Sequence, residues 1–332
     1  MAVDRDVAVA FARAALPAGA AAAGWEATPA TGIRGLRLLA ESERFASFLF
    51  TESHPAAFAV LARNVAGIVG ARARAADGRR PPEEAPFDYV DLDPYGSPIP
   101  FVPGAIAAVR PGGHLAVTAT DMPVLGGAQP SACRRRYGAT PVRGRLGPEG
   151  GLRILLAYLA RAARDSDRHI VPELAYVRGH YVRAYVRVEP GTPAPPVATL
   201  EPAAWTGPPL GDGGPFGPMW TGPLGAPPIV RRLAVPSTAA APAETGRFLG
   251  RLRDDVGVNA AFYYEPNEIA ARLGLSNPPS IDDLLAAIRE SGLPAERTHV
   301  RPEGIRTVAE RSIVDDAARR VAGQSQNARV RA

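Results

Sequence analysis

Over its first 190 residues the chain alternates short apolar segments of strand character with amphipathic segments of helical spacing, and no other feature restricts the fold so much. Alternation of this kind builds parallel strands joined by crossover helices, so it predicts an α/β architecture with a mostly parallel sheet covered on both faces. Strands are expected at 24–28, 45–51, 87–93 and 114–120, then a closing hairpin over 170–176 and 180–188. Helices are expected at 7–16, from Gly35 through Glu41, at 55–65, at 101–109 and at 150–164. Pro55 suits a first helical turn, and Leu152, Leu155, Leu156 and Leu159 share one helical face. Pro111-Gly112-Gly113 reads as a stop after the helix at 101–109. Ligands of such sheets bind at the carboxyl ends of the strands, and the acidic and glycine-rich clusters of this chain fall at those ends.

Beyond 190 the character changes. Residues 191–245 are rich in Pro and Gly and read as an irregular connector, with Trp220 packing on a neighbouring surface. Residues 246–322 regain a helical pattern. Two helices, 266–273 and 280–291, flank Gly274-Leu275-Ser276-Asn277-Pro278-Pro279, which suits either a helix-turn-helix or a small helical packing domain. The last stretch, 323–332, is expected to be disordered.

Composition narrows the function classes. The 332 residues include no lysine, so all 38 strongly basic side chains are arginine. Arginine forks bind phosphates bidentately and stack on bases, although a GC-rich genome yields the same usage. A formal charge of +5 is compatible with a nucleic-acid partner. The single cysteine, Cys133, excludes an internal disulfide and a cysteine-cluster zinc site, and no metal is expected. No apolar run reaches the length of a membrane span. Asp4 and Asp6 precede the Ala-rich start and Pro17 interrupts it, so no signal peptide is read and a cytoplasmic location is the default.

Three clusters carry chemistry. Asp91-Leu92-Asp93-Pro94-Tyr95-Gly96-Ser97-Pro98 follows a strand. An acid-Pro-aromatic triplet there suits methylation of an exocyclic amine, whose lone pair is delocalised into its ring. A carboxylate and a backbone carbonyl can hold the two N–H groups and aim the nitrogen, while the aromatic ring stacks on the base. The same triplet also suits a simple turn in which Asp caps a helix. The second cluster is Glu26 followed by Ala30-Thr31-Gly32-Ile33-Arg34-Gly35, a strand-to-helix turn whose glycine permits close approach of a ligand. Glu52, the next acidic strand end, can accept ribose hydroxyls. Asp77 is a candidate for an adenine amine, or an exposed loop acid. The third cluster is Thr118-Ala119-Thr120-Asp121 with Cys133-Arg134-Arg135-Arg136-Tyr137, whose arginines read either as RNA contacts or as a solvated surface.

These residues, with Glu149-Gly150-Gly151-Leu152-Arg153-Ile154-Leu155, His180-Tyr181-Val182-Arg183-Ala184-Tyr185-Val186, Gly217-Pro218-Met219-Trp220-Thr221-Gly222, Arg297-Thr298-His299 and Gly304-Ile305-Arg306-Thr307, resemble the tRNA guanine-26 N2-dimethyltransferase family, archaeal type. The resemblance covers nearly the whole chain. It implies a class I methyltransferase (Rossmann-like) domain over 1–190 and a smaller, mainly helical α+β domain over 246–322 that binds tRNA. It implies S-adenosyl-L-methionine as cofactor, tRNA as partner and a monomer. Asp93, Pro94 and Tyr95 become the catalytic residues. Arg5, Glu26, Thr31, Gly32, Arg34, Glu52 and Asp77 become the cofactor site, with Arg5 expected on the methionine carboxylate. Arg134, Arg135 and Arg136 become RNA contacts. Family members carry a segment before the motif matching Asp4-Arg5-Asp6, so Arg5 is expected on a fraying terminus that weakens cofactor binding. Pro29 in the cofactor turn removes a backbone donor. Two further readings share these residues: an RNA-binding module without catalysis, and an N-methyltransferase for another amine.

Overall fold

The computed structural model describes the backbone of residues 2–19 and 21–331. In chain order the first part comprises α1 (Ala2–Ala15), β1 (Ala22–Glu26), α2 (Ile33–Glu41), β2 (Phe45–Thr51), α3 (Pro55–Val65), β3 (Ala71–Arg74), β4 (Phe87–Leu92), α4 (Val102–Ala108), β5 (Val109–Ala119), α5 (Met122–Leu125), α6 (Pro130–Tyr137), α7 (Gly147–Arg164), β6 (Arg168–Arg178) and β7 (Tyr181–Pro190). Next in the chain come β8 (Val197–Leu200), β9 (Phe216–Trp220), α8 (Pro227–Arg232), α9 (Pro242–Val256), α10 (Pro266–Leu273), α11 (Ile281–Arg289), β10 (Ala295–Arg297), β11 (Ile305–Thr307) and α12 (Arg311–Arg331). Where a disordered tail was expected at 323–332, the backbone of α12 continues to Arg331; the side chains of 324–331 lie outside the described residues.

Seven strands form one sheet in the order β3-β2-β1-β4-β5-β7-β6. Neighbours from β3 to β5 pair in parallel, and β7 runs antiparallel to both β5 and β6. This is the class I methyltransferase, Rossmann-like topology. The alternation of the strands explains why both faces are covered. Phe48 and Phe50 join α1 on one face, while Leu49 joins α4 and α7 on the other. Tyr89 and Val90 divide in the same way, as period-2 side chains must. On α1, Val3, Val7 and Phe11 recur every four residues and are buried, which seats the helix on the first face.

Several expectations need correction. The first helix begins at Ala2, not 7, so the segment read as a fraying terminus is the buried first turn of α1. β3 was not expected; its Ala-Arg alternation gives no apolar run, because it is an edge strand paired only with β2. Asp77 therefore comes after the third strand and before the fourth. Pro111-Gly112-Gly113 lies within β5 rather than ending α4, at a register shift where Val109 pairs with Phe87 and His114 with Tyr89. The region 191–245 is not merely irregular. It holds the β8–β9 hairpin, α8 and the start of α9. Its Leu210, Phe216, Met219 and Trp220 enter the same core as the central strands. Apolar burial there outweighs the Pro and Gly content.

The C-terminal part has its own core of Ile269, Leu284, Ile288, Ile305 and Val314. Gly274 ends α10 in a left-handed conformation, as expected of a glycine at a helix end. The tie between this part and the sheet domain is a buried ion cluster. Arg306 donates to both carboxylate oxygens of Glu149 at 2.9 Å and pairs with Asp255. Arg153 donates to Glu149 at 2.8 Å and to the Trp220 carbonyl at 3.0 Å. Burial pushes the Glu149 carboxyl up, but Arg306 and Arg153 outweigh it and hold the group down at about 2.

Candidate active site

At the carboxyl ends of β1 and β4, Glu26, Asp91 and Asp93 meet Asp4 of α1 around two guanidiniums. Arg34 enters from the first turn of α2, 4% exposed. It donates to Asp4 at 2.7 Å, pairs with Asp93 and lies 3.8 Å from Asp91. Arg183 comes from β7 and donates to Asp91 and Thr118, each at 2.6 Å. Tyr89 donates to Asp91 at 2.8 Å, and Tyr176 donates to Asp4. Glu26 ends β1 and accepts the Gly35 N–H at 3.0 Å. Burial, with Asp91 beside it, pushes the Glu26 carboxyl up to about 8. Burial also acts on Asp4, but Arg34 and Arg183 and the hydrogen bonds hold that carboxyl well below the usual range. Four carboxyls thus face two guanidiniums in a buried place, and only the opposite charges and hydrogen bonds around them offset the cost of taking them out of water.

Asp93 comes directly after β4. Its backbone N–H donates to the Thr28 hydroxyl at 2.9 Å, and Arg34 holds its carboxylate. Pro94 is buried, whereas Tyr95 stands fully in solvent. The Gly96 N–H donates to Thr120 at 2.7 Å, and Thr120 returns its N–H to the Gly96 carbonyl at 3.0 Å. This fixes the turn after the triplet against the end of β5. The turn opens on a cavity of about 590 Å³ whose wall includes Asp4, Asp93, Tyr95, Thr118, His180 and Tyr181. A cavity of that size accommodates a base and part of a cofactor.

On the other side of Asp93 lies the turn from β1 to α2. Gly32 caps α2 at φ 76°, and a Cβ there would meet Leu61 at 2.6 Å. A Cβ on Gly35 would lie 2.8 Å from the Glu26 carboxylate, so glycine permits the Glu26–Gly35 bond. Thr31 is exposed beside them. Glu52 stands just past β2, half-buried, and accepts the His54 N–H at 2.8 Å. Asp77 is half-buried and bound to Arg79 at 2.9 Å. Its neighbour Gly78 packs so closely on the Ala27 carbonyl that a Cβ would come within 1.9 Å. The loop carrying Asp77 is thereby drawn to the end of β1. Arg5 is half-buried on α1 and is not part of the cavity wall; Asp4 is. Arg134, Arg135 and Arg136 are exposed on α6. Tyr137, at the end of that helix, donates to Asp121 of the cavity wall at 2.9 Å, which sets the three arginines by the cavity mouth.

The residues present fit S-adenosyl-L-methionine. Carboxyls outnumber guanidiniums here, which suits a ligand that brings a sulfonium and an ammonium, and the buried Arg34 Nε has no hydrogen-bond partner. Asp4, Asp91, Arg183 and Tyr176 were not expected from the sequence as site residues. The available signal was Arg183 itself, a charged residue inside the otherwise apolar run of β7, which requires a buried acid nearby.

Among the described residues no group of three or more His, Cys, Asp or Glu could hold a metal ion, and no helix is long and apolar enough to cross a membrane. The chain is similar to the tRNA (guanine(26)-N(2))-dimethyltransferase of Pyrococcus horikoshii, 32% identical over 89% of this chain and 86% of that one. It is 31% identical to the enzyme of the same name from Pyrobaculum aerophilum, over 84% of this chain and 77% of that one. The Thermococcus kodakarensis enzyme is 34% identical over 71% of this chain, and the match spans 65% of that enzyme's length. The solved structure of Trm1 from Pyrococcus horikoshii with S-adenosyl-L-methionine superposes with a TM-score of 0.84 at 29% identity, over 96% of this chain and 92% of that one. The model of the family described as N2,N2-dimethylguanosine tRNA methyltransferase matches residues 1–196 and 212–319, and the chain belongs to that family.

Proposed function

We propose that the protein uses S-adenosyl-L-methionine to methylate the exocyclic N2 amine of a guanine in tRNA, at position 26 and to the dimethylated product. The observation that carries this reading is Asp93, fixed by Arg34 and Thr28, beside the exposed Tyr95 at the mouth of a base-sized cavity. The bound cofactor supplies an electrophilic methyl on a positively charged sulfur. Asp93 accepts one N–H of the target amine and the Pro94 carbonyl accepts the other, which localises the nitrogen lone pair and points it at the methyl. As the nitrogen–carbon bond forms and the carbon–sulfur bond breaks, the nitrogen gives up a proton to the Asp93 carboxylate and thence to solvent. Tyr95 stacks on the base once it leaves its helix. Glu52 holds the ribose hydroxyls and Asp77 the adenine amine. Glu26, Thr31, Gly32 and Arg34 shape the turn between them, and Arg5 supplies positive charge near the methionine carboxylate. Arg134, Arg135 and Arg136 bind phosphates beside the target, and the domain over 246–322 takes the rest of the tRNA. The chain acts as a cytoplasmic monomer without a metal. Mass spectrometry of nucleosides from unmodified tRNA incubated with protein and cofactor is the test. Absence of N2-methylated guanosine would overturn the reading.

A further inference from the structure

β6 forms one edge of the sheet, so alternate backbone groups along it have no strand partner. Their partners come from outside the sheet. The Glu173 carbonyl accepts the Ala226 N–H at 3.0 Å, and the Ala175 N–H donates to the Leu224 carbonyl at 2.7 Å. The next outward N–H, that of Val177, donates instead to a side chain of the C-terminal part, Nε2 of His299, at 3.1 Å. Accepting that bond requires a lone pair on Nε2, so the ring proton sits on Nδ1, where it donates to Asp255. Asp255 is in turn gripped by Arg306, the residue that ties the two domains together.

The bond sits one residue before the end of β6, at the base of the hairpin turn. In the hairpin Val177 pairs with Val182 and Arg178 with Tyr181. His180 and Tyr181, at its tip, are cavity wall. The Tyr181 hydroxyl is buried with no hydrogen-bond partner, so no polar contact of its own fixes that end of the hairpin. Phe248 of α9 packs edge-on against both His299 and Tyr176, and Tyr176 donates to Asp4 of the same wall.

We infer that His299 is a positioning residue for the target cavity: by accepting the Val177 N–H it fixes the β6–β7 hairpin whose tip forms the wall against which the target base docks. The inference rests on the proposed methyl transfer for what the cavity holds, not for the link itself. His299 is not part of the cavity wall. It passes the placement of the C-terminal domain to a wall about one hairpin turn away.

Two substitutions divide its two bonds. In His299→Asn the amide N–H takes the place of Nδ1 and keeps Asp255, but nothing accepts the Val177 N–H. In His299→Gln the amide oxygen takes the place of Nε2 and keeps Val177, while Asp255 retains Arg306 and Thr298. Loss of one buried hydrogen bond corresponds to about a tenfold change in an equilibrium. The full-length H299N protein should exchange backbone amides of the peptide 174–182 about tenfold faster. Its KM for tRNA should rise by about the same factor, with kcat and cofactor affinity within about twofold of the parent. H299Q should restore both measures. Unchanged exchange and KM in H299N, or equal defects in H299N and H299Q, would overturn the inference. If the parent protein fails to methylate tRNA, the proposed function falls, while the exchange measurement still decides whether His299 holds the hairpin.

Discussion

At the scale of single residues, Asp93 and Glu26 are two carboxyls with opposite demands. Asp93 is held by Arg34 and accepts from the target, so Asp93→Ala is expected to abolish methyl transfer while cofactor affinity, read by calorimetry, stays close to the parent value. Near-normal turnover in that variant would remove Asp93 from the mechanism. Glu52→Ala should do the reverse, weakening cofactor binding by roughly 1.5–3 kcal/mol, the worth of a charge-assisted hydrogen bond, with chemistry at saturation little changed. Glu26 gives a pH dependence. Its carboxyl is raised from 4.5 to about 8 in the folded chain. Between those values the folded state keeps a proton that the unfolded state releases, so the contribution of this group to stability falls as pH rises through the window. Glu26→Gln keeps an acceptor for Gly35 and has no proton to lose. Its stability relative to the parent should therefore improve from about pH 5 to about pH 8, as followed by urea denaturation at both ends. A constant difference across that range would show that Glu26 ionises normally. Asp93 and Glu52 could be singled out as candidates in the sequence because each directly follows an apolar strand, and Gly32 because it stands in a strand-to-helix turn. Asp4 and Arg183 were not, because their buried partners lie far along the chain. Arg183 pairs with Asp91, 92 residues away, and Asp4 accepts from Tyr176, 172 residues away, which leaves no local spacing to read.

At the scale of elements, α6 is short and its last turn is Arg134, Arg135 and Arg136, all in solvent. Exposed arginines on a phosphate backbone release counterions, so tRNA binding should weaken steeply with salt. Replacing all three by Ala should flatten the slope of log affinity against log salt by about two to three, from the charges removed. Filter binding at several salt concentrations measures it, and equal slopes would return the cluster to ordinary surface. Most strands and helices of the sheet domain were readable because their apolar periodicity is strong. The ones missed share a cause. β3, β8 and β9 are short and give no clear strand pattern: β3 alternates Ala with Arg, most of β8 is not buried, and Gly217-Pro218 interrupts the apolar side chains of β9. The start of α1 was hidden in the same way. Asp4 and Asp6 look like solvent-facing charges, yet Asp6 accepts the N–H groups of Ala240 and Ala241 at the start of α9, at 3.0 and 3.1 Å.

At the scale of the whole molecule, Glu149, Asp255 and Arg306 join α7, α9 and β11, and all three are buried. Arg306→Met fills much of the same volume but leaves two carboxylates without their shared cation. It should cost about 3–5 kcal/mol in urea denaturation. A loss below about 1 kcal/mol would mean that Arg153 and the hydrogen bonds from His299 and Thr298 suffice to hold both acids. The motifs around 149–153, 297–299 and 304–307 were legible as a resemblance without an assigned task. In space they converge on this one cluster. The sheet has another property at this scale. Its β6 edge is occupied by Leu224, Ala226 and His299, and its β3 edge carries Arg72 and Arg74 around Glu84. A second copy of the chain that meets the β6 rim finds the backbone of Glu173, Ala175 and Val177 already taken, and at the β3 rim it meets charged side chains, which disfavour edge-to-edge pairing. At high protein concentration, strand-by-strand growth into fibres is therefore disfavoured at both rims, by occupied backbone at one and by charge at the other.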